Sequence, residues 1–328
     1  MPAIDALTKT DRMMQLQLLL RRKPEGVRTS EVARLLGVSE RTARRYMDQM
    51  TASGLLPAYQ DKWTWKLVEG AKFDLLPVRL DLDEAMALYL AARLLSAHSD
   101  KHNPHAVSAM NKLASAMPQP IGEHIVRTAE ATARRREHPV YLKALETLAL
   151  AWAERRQVRM LYATPHAEEV TERVFDPYFI EPSAIGYSCY TIGYDHLRGG
   201  IREFKVERIA RVDLLDTHYD IRQGFDPYAF LANAWGVMGG EEVTEVRLRF
   251  TARVAFRIRE SDWPGVTGVE EHPDGTCTMT LRVNHTVEMM PWIRGWGPDC
   301  EVLEPEDLRQ QIAEEMKEAS AVYESERG

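Results

Sequence analysis

The sequence predicts an α+β multidomain chain: a winged helix-turn-helix head, a helical linker, a small bent β-barrel, and a ferredoxin-like βαββαβ module at the C-terminus. Three observations carry this expectation. Charge is unevenly spread: the net charge is −7, yet residues 1–66 hold 12 Lys+Arg against 7 Asp+Glu, leaving 30 against 42 for the remainder. The stretch "TSEVARLLGVSERTARRYMDQMTASGLL" reads as two short amphipathic helices across a Gly-containing turn. From Val158 onward the apolar period shifts from helical to two.

The head comes first, over residues 1–70. Thr29 is placed to cap a helix whose inward stripe is Val32, Leu35 and Leu36, and Gly37 suits a left-handed terminus. Ser39 then caps a second helix with Tyr46, Met47 and Met50 inward and Arg41, Thr42, Arg44 and Arg45 outward. "LLPAYQDKWTWKLV" alternates around Gln60-Asp61-Lys62 as a hairpin wing, with Trp63 and Trp65 sharing a face and packing against the helices or the linker. In such a head the second helix enters the major groove, where Arg reads guanine. The expected double-stranded DNA contacts are Arg28, Ser39, Arg41, Thr42, Arg44, Arg45 and Lys62. Arg41, Thr42 and Arg44 would face bases, while Arg28, Arg45 and Lys62 would meet phosphates.

Residues 71–137 read as a helical linker that opens with "VRLDLDEAMALYLAARLL". Asp83 is its expected cap and Met86, Leu88, Tyr89, Ala92 and Leu95 its apolar marks. His98, His102 and His105 have a metal-like spacing, but Asn103-Pro104 breaks the helix that would align them and no fourth ligand is near, so no metal is expected.

Residues 138–220 hold about five short strands with polar turns, which suggests a strongly bent barrel. In "IREFKVERI" one strand face would carry Arg202, Phe204, Val206 and Arg208, and the other Glu203, Lys205 and Glu207. After a linker at 221–240, residues 241–328 run strand, helix, strand, strand, helix, strand and a long final helix from Glu306. Its stripe is Leu308, Ile312, Met316, Ala319 and Tyr323.

Other function classes find little support. With 45% hydrophobic and 28% charged residues the chain is ordinary soluble material. It has no membrane-length apolar run and no visible secretory signal. Cys189, Cys277 and Cys300 are odd in number and far apart, as reduced thiols in a cytoplasm would be. No phosphate-loop, zinc-protease or nucleophile-elbow motif is present, so neither an enzyme nor a cofactor is expected.

Taken together, the chain resembles the WYL-domain transcription regulators, which join a winged helix-turn-helix, a helical linker, an Sm-like WYL barrel and a WCX extension. "RVFDPYFI" matches the family's R-x-x-x-P strand through Arg173 and Pro177, and "REFKVERI" matches R-x-F-x-x-x-R-I. "RVAFRIRESDWP", "PDGTCTMTLRV" and "WIRGWG" are similar to successive WCX blocks. The naming tripeptide stands here as Cys189-Tyr190-Thr191, which keeps only its tyrosine. The resemblance implies an anionic effector, a nucleotide or short single-stranded nucleic acid, held by Arg173, Tyr190, Arg202, Phe204 and Arg208. It implies a ligand-responsive homodimer at a promoter. The competing expectation is a nucleic-acid-binding defence or DNA-damage protein that does not act at a promoter.

Overall fold

A computed structural model describes residues 16, 19–20, 23, 25–52, 58–68, 78–99, 101–164, 170–183 and 188–325. The chain divides into two compact units, Met1–Asp81 and Leu82–Gly328.

In the first unit, β1 (Val27–Arg28), α1 (Thr29–Leu36), α2 (Glu40–Ala52), β2 (Ala58–Asp61) and β3 (Thr64–Leu67) follow in order, with the strands arranged β1-β3-β2. Val32, Leu36, Met47, Met50 and Trp65 form its core with Leu16 and Leu20, which lie in helical backbone. Three expectations need correction. The cap of α1 is Arg28, whose N–H donates to Glu31; Thr29 Oγ1 instead accepts from the Trp65 indole at 3.3 Å. Leu35 is 39% exposed because Ala33, beside Val32, takes the inward place. In the wing Asp61 pairs with Thr64, so the turn is Lys62-Trp63, with Lys62 at φ 54°. That turn separates the two tryptophans: Trp65 is buried and Trp63 is 81% exposed.

The second unit opens with α3 (Leu82–His98), α4 (Pro104–Ala116), α5 (Gln119–Ala133) and α6 (Pro139–Glu154). Asn103 caps α4 by accepting the His105 N–H at 3.0 Å. Because α3 starts at Leu82, Asp83 sits inside its first turn rather than capping it. Tyr89 is buried against Met110 and Ile125, whereas Leu88 and Leu95, also among the apolar marks of this helix, are exposed.

Next comes a five-stranded antiparallel sheet: β4 (Arg156–Ala163), β5 (Val170–Ser183), β6 (Ser188–Asp195), β7 (Gly200–Lys205) and β8 (Ile209–His218), in the order β7-β6-β5-β4-β8. The two edge strands are joined by a single 3-10 turn, Val206–Arg208. Flat, those edges would lie about 19 Å apart at a strand spacing of about 4.8 Å. Four Cα steps reach about 14 Å at most. The sheet therefore has to roll. Tyr162 on β4 accepts the Lys205 N–H of β7, three strands away in the sheet order. α6 packs on this barrel through Tyr141, Ala144 and Leu148.

After the short helix α7 (Pro227–Leu231) the chain forms β9 (Thr244–Phe250), α8 (Ala255–Arg259), β10 (Val266–Glu271), β11 (Cys277–Val283), α9 (Met290–Gly295), β12 (Cys300–Glu304) and α10 (Glu306–Ser325). The strand order β10-β11-β9-β12 is that of a ferredoxin-like module. Leu308 and Ile312 anchor α10 in its core with Met316 packed beside them, while Ala319 and Tyr323 are exposed.

Candidate nucleic-acid interface and effector face

The head places its basic residues in two groups. Arg28, Arg41 and Arg44 converge with Thr29, Ser30, Glu40, Gln60 and Trp63 around a cleft of about 480 Å³. The Arg44 guanidinium donates to Gln60 Oε1 at 3.3 Å, and Gln60 Nε2 donates to the Lys62 carbonyl at 3.2 Å, which ties α2 to the wing. Ser39 Oγ accepts the Thr42 N–H at 3.2 Å and lies 3.0 Å from Thr42 Oγ1, capping α2 as its sequence position suggested. Arg45 is apart from the cleft residues, its guanidinium 5.9 Å from the Tyr46 ring centroid. Gln60 and Trp63 were not among the expected contacts. The hairpin register, which set the turn one residue later, brings them in.

On the barrel the anticipated basic face does not form as one strand face. The strand ends at Lys205, and Val206–Arg208 turn out of it. Phe204 and Val206 are buried, whereas Arg202 and Arg208 are exposed. Phe204 is a core residue, not a stacking platform: it meets Tyr162 at 4.8 Å and Phe175 at 5.2 Å, ring to ring. Arg173 is likewise withdrawn from any effector. It is 9% exposed, paired at 2.5 Å with the fully buried Asp195, and its guanidinium lies 5.5 Å from the Phe204 ring. A buried cation that is already balanced has nothing to gain from an external anion.

Tyr190, Arg202 and Arg208 remain as candidates. Among the described residues neither arginine pairs with a carboxylate within 4.0 Å. The Tyr190 phenol is pushed above its ordinary value, first by burial and then by the Glu288 and Glu207 carboxylates, while the Arg208 cation pulls it down. Glu288 has its own anchor: the consecutive N–H groups of Gly236, Val237 and Met238 each donate to its carboxylate at 3.0 Å. A Cβ on Gly236 would fall 2.6 Å from Glu288 Oε1, so a larger residue there would push this carboxylate aside. Such a row of backbone amides is a built anion site, here filled by the chain's own side chain.

Three family models match in chain order: a homeodomain-like domain at residues 6–58, a WYL domain at 143–214 and a WCX domain at 242–320. The chain has the domain set of a WYL-domain regulator. The WYL match covers α6 and the barrel strands through most of β8, and the WCX match covers the ferredoxin-like module. Among solved structures, proteasome accessory factor B/C (PafBC) of Arthrobacter aurescens is 21% identical with a TM-score of 0.34. That match covers 96% of this chain and 49% of PafBC, so the chain spans about half its length. A CRISPR Cas-related protein is 13% identical with a TM-score of 0.44, covering 77% of this chain and 76% of its own. Likenesses this distant carry no weight for function.

In the WYL domain, Thr191 occupies the third position of the tripeptide. It is fully buried, and among the described residues its hydroxyl has no hydrogen-bond partner. Cys189 begins the tripeptide, its thiol pushed up to about 12 by burial and by the Glu207 and Glu181 carboxylates. That thiol is therefore neutral and suited to packing rather than chemistry.

Proposed function

We propose that this protein is a transcription regulator. Its head binds operator DNA, and its WYL domain binds an anionic effector, a nucleotide or short single-stranded nucleic acid, that alters promoter binding. The convergence of Arg28, Arg41 and Arg44 on one cleft with Gln60 and Trp63 of the wing is the observation that carries the DNA reading. α2 enters the major groove in this reading, and the Lys62-Trp63 turn tracks the adjoining backbone.

The effector reading rests on a narrower base: Tyr190 of the tripeptide, with Arg202 and Arg208 exposed and paired with no carboxylate among the described residues. The protein acts by binding rather than catalysis, as a homodimer, inside the cell where its DNA lies. Among the described residues no helix is long and apolar enough to cross a membrane.

Fluorescence anisotropy on an operator duplex, with and without a short oligonucleotide, tests the coupling. In wild type, the oligonucleotide should shift DNA affinity by about 1–3 kcal/mol, the usual size of such linkage. Arg208→Ala should keep basal DNA affinity and lose the shift. An Arg208→Ala protein that responds like wild type would remove Arg208 from the effector site.

A further inference from the structure

A cavity of about 940 Å³ opens between α3, the start of α4, α6 and the barrel strands β5 and β6. That is the upper range of small-molecule sites. Its mouth is apolar. Leu88, Leu94 and Leu95 of α3 line it and are 52%, 62% and 49% exposed, so nothing among the described residues covers them. Three leucines in one open groove make an apolar surface of the kind that marks a binding site.

The deeper wall is different. His102 lines it, only 6% exposed, and its Nδ1 has no hydrogen-bond partner among the described residues. Ser183 and Ser188, both buried, close the barrel side. The charged side chains among the described lining residues are cations, Lys101 and Arg135. Arg135 is fixed in place, donating to the Ser96 and Ser99 carbonyls at the end of α3. The positive field is real enough to act on a neighbour: His138 is held below its ordinary value, first by burial and then by Lys101, Arg136, His102 and Arg135.

We propose that this cavity binds a small amphipathic anion, a carboxylate or sulfonate with an apolar body. The body would lie along Leu88, Leu94 and Leu95, and the acid group would face Lys101, Arg135 and His102. Charge complementarity selects this occupant over a second copy of the chain. A flat protein surface would cover the leucines but leave the cationic wall and the unmet His102 nitrogen behind. Ser188 and Cys189 start the strand that carries Tyr190, so a bound molecule would touch the same strand as the effector edge from another side. The proposal does not depend on that edge binding anything.

Dodecanoate below its micellar concentration is a suitable probe, titrated calorimetrically into the full chain, with dodecanol as the neutral control. Binding should be saturable at one site per chain. Dodecanol should bind about tenfold more weakly, the size of one lost charge-assisted contact. Leu94→Asp, at a position 62% exposed, should weaken dodecanoate at least about tenfold, and Lys101→Glu by about as much. Absence of saturable binding would overturn the proposal, as would equal binding of acid and alcohol. So would a Leu94→Asp protein that binds dodecanoate normally but sediments as a monomer where wild type is a dimer; the leucine face would then belong to a second copy.

Discussion

Glu203 states the balance of forces at the barrel edge within one side chain. Burial raises its pKa above the ordinary 4.5, outweighing the backbone N–H groups of Glu203 and Gly239 and the charges of His285 and Arg202 that oppose the shift. The folded state therefore holds this proton more tightly than the unfolded chain does. Stability contributed by the neutral acid is present below the ordinary value and is lost as pH rises through the raised one. Glu203→Gln should accordingly match wild type in urea midpoint near about pH 4 and exceed it near about pH 7.5. A midpoint difference that is the same at both values would show that the side chain is not charged at a cost. Phe204 makes a second test at this scale. Enclosed by Tyr162 and Phe175, Phe204→Ala should lose about 3–5 kcal/mol of stability in denaturant titration. A base-stacking residue on the surface would lose almost none.

At the scale of elements, the proposed DNA binding divides between α2 and the wing. α2 presents Arg41 and Arg44 on the face opposite Ala43, Met47 and Met50, which are buried. The wing offers Lys62 and Trp63 in a turn that the Asp61–Thr64 pairing forces outward. Asp61 itself pairs with Lys66 at 2.8 Å. Arg44→Ala should relax discrimination between operator and random duplex by about 1–3 kcal/mol in competition binding. Lys62→Ala should instead weaken both duplexes alike and flatten the salt dependence, as loss of one phosphate contact does. If the two variants behave identically, the division between helix and wing is wrong.

For the whole molecule, the question is how one head acquires a specific site. A single winged helix reads few base pairs, whereas two heads read half-sites at multiples of about 34 Å. Light scattering at micromolar concentration should therefore return about twice the 37.5 kDa of one chain. The second half of α10, with Ala319 and Tyr323 exposed beyond the part anchored by Leu308 and Ile312, is the surface proposed for that contact. Tyr323→Asp should then reduce the mass toward one chain. A wild-type protein that remains at one chain mass, with or without operator DNA, would set the dimer aside.

Local patterns decided the order of the elements. Amphipathic spacing with Gly37 and Ser39 placed the helix-turn-helix, and the change of period at Val158 placed the barrel. Turn residues and alternation placed the strands of the WCX module to within about a residue or two, because each such signal acts between neighbours in the chain. The candidate site was less legible. Alternation assigned Arg202, Phe204 and Arg208 to one face, but the strand leaves the sheet after Lys205, because β7 and β8 occupy opposite edges of a rolled sheet. Arg173 looked available until the β5–β6 pairing, which sets Asp195 opposite Phe175, put that carboxylate beside it. Trp63 and Trp65 looked equivalent until the turn fell at Lys62-Trp63, which left Trp63 exposed and Trp65 buried. Local sequence determined which segments became helices and strands. Which charges were already balanced, which aromatics were enclosed and where a cavity opened depended on partners distant in sequence, and only the tertiary structure brought those together.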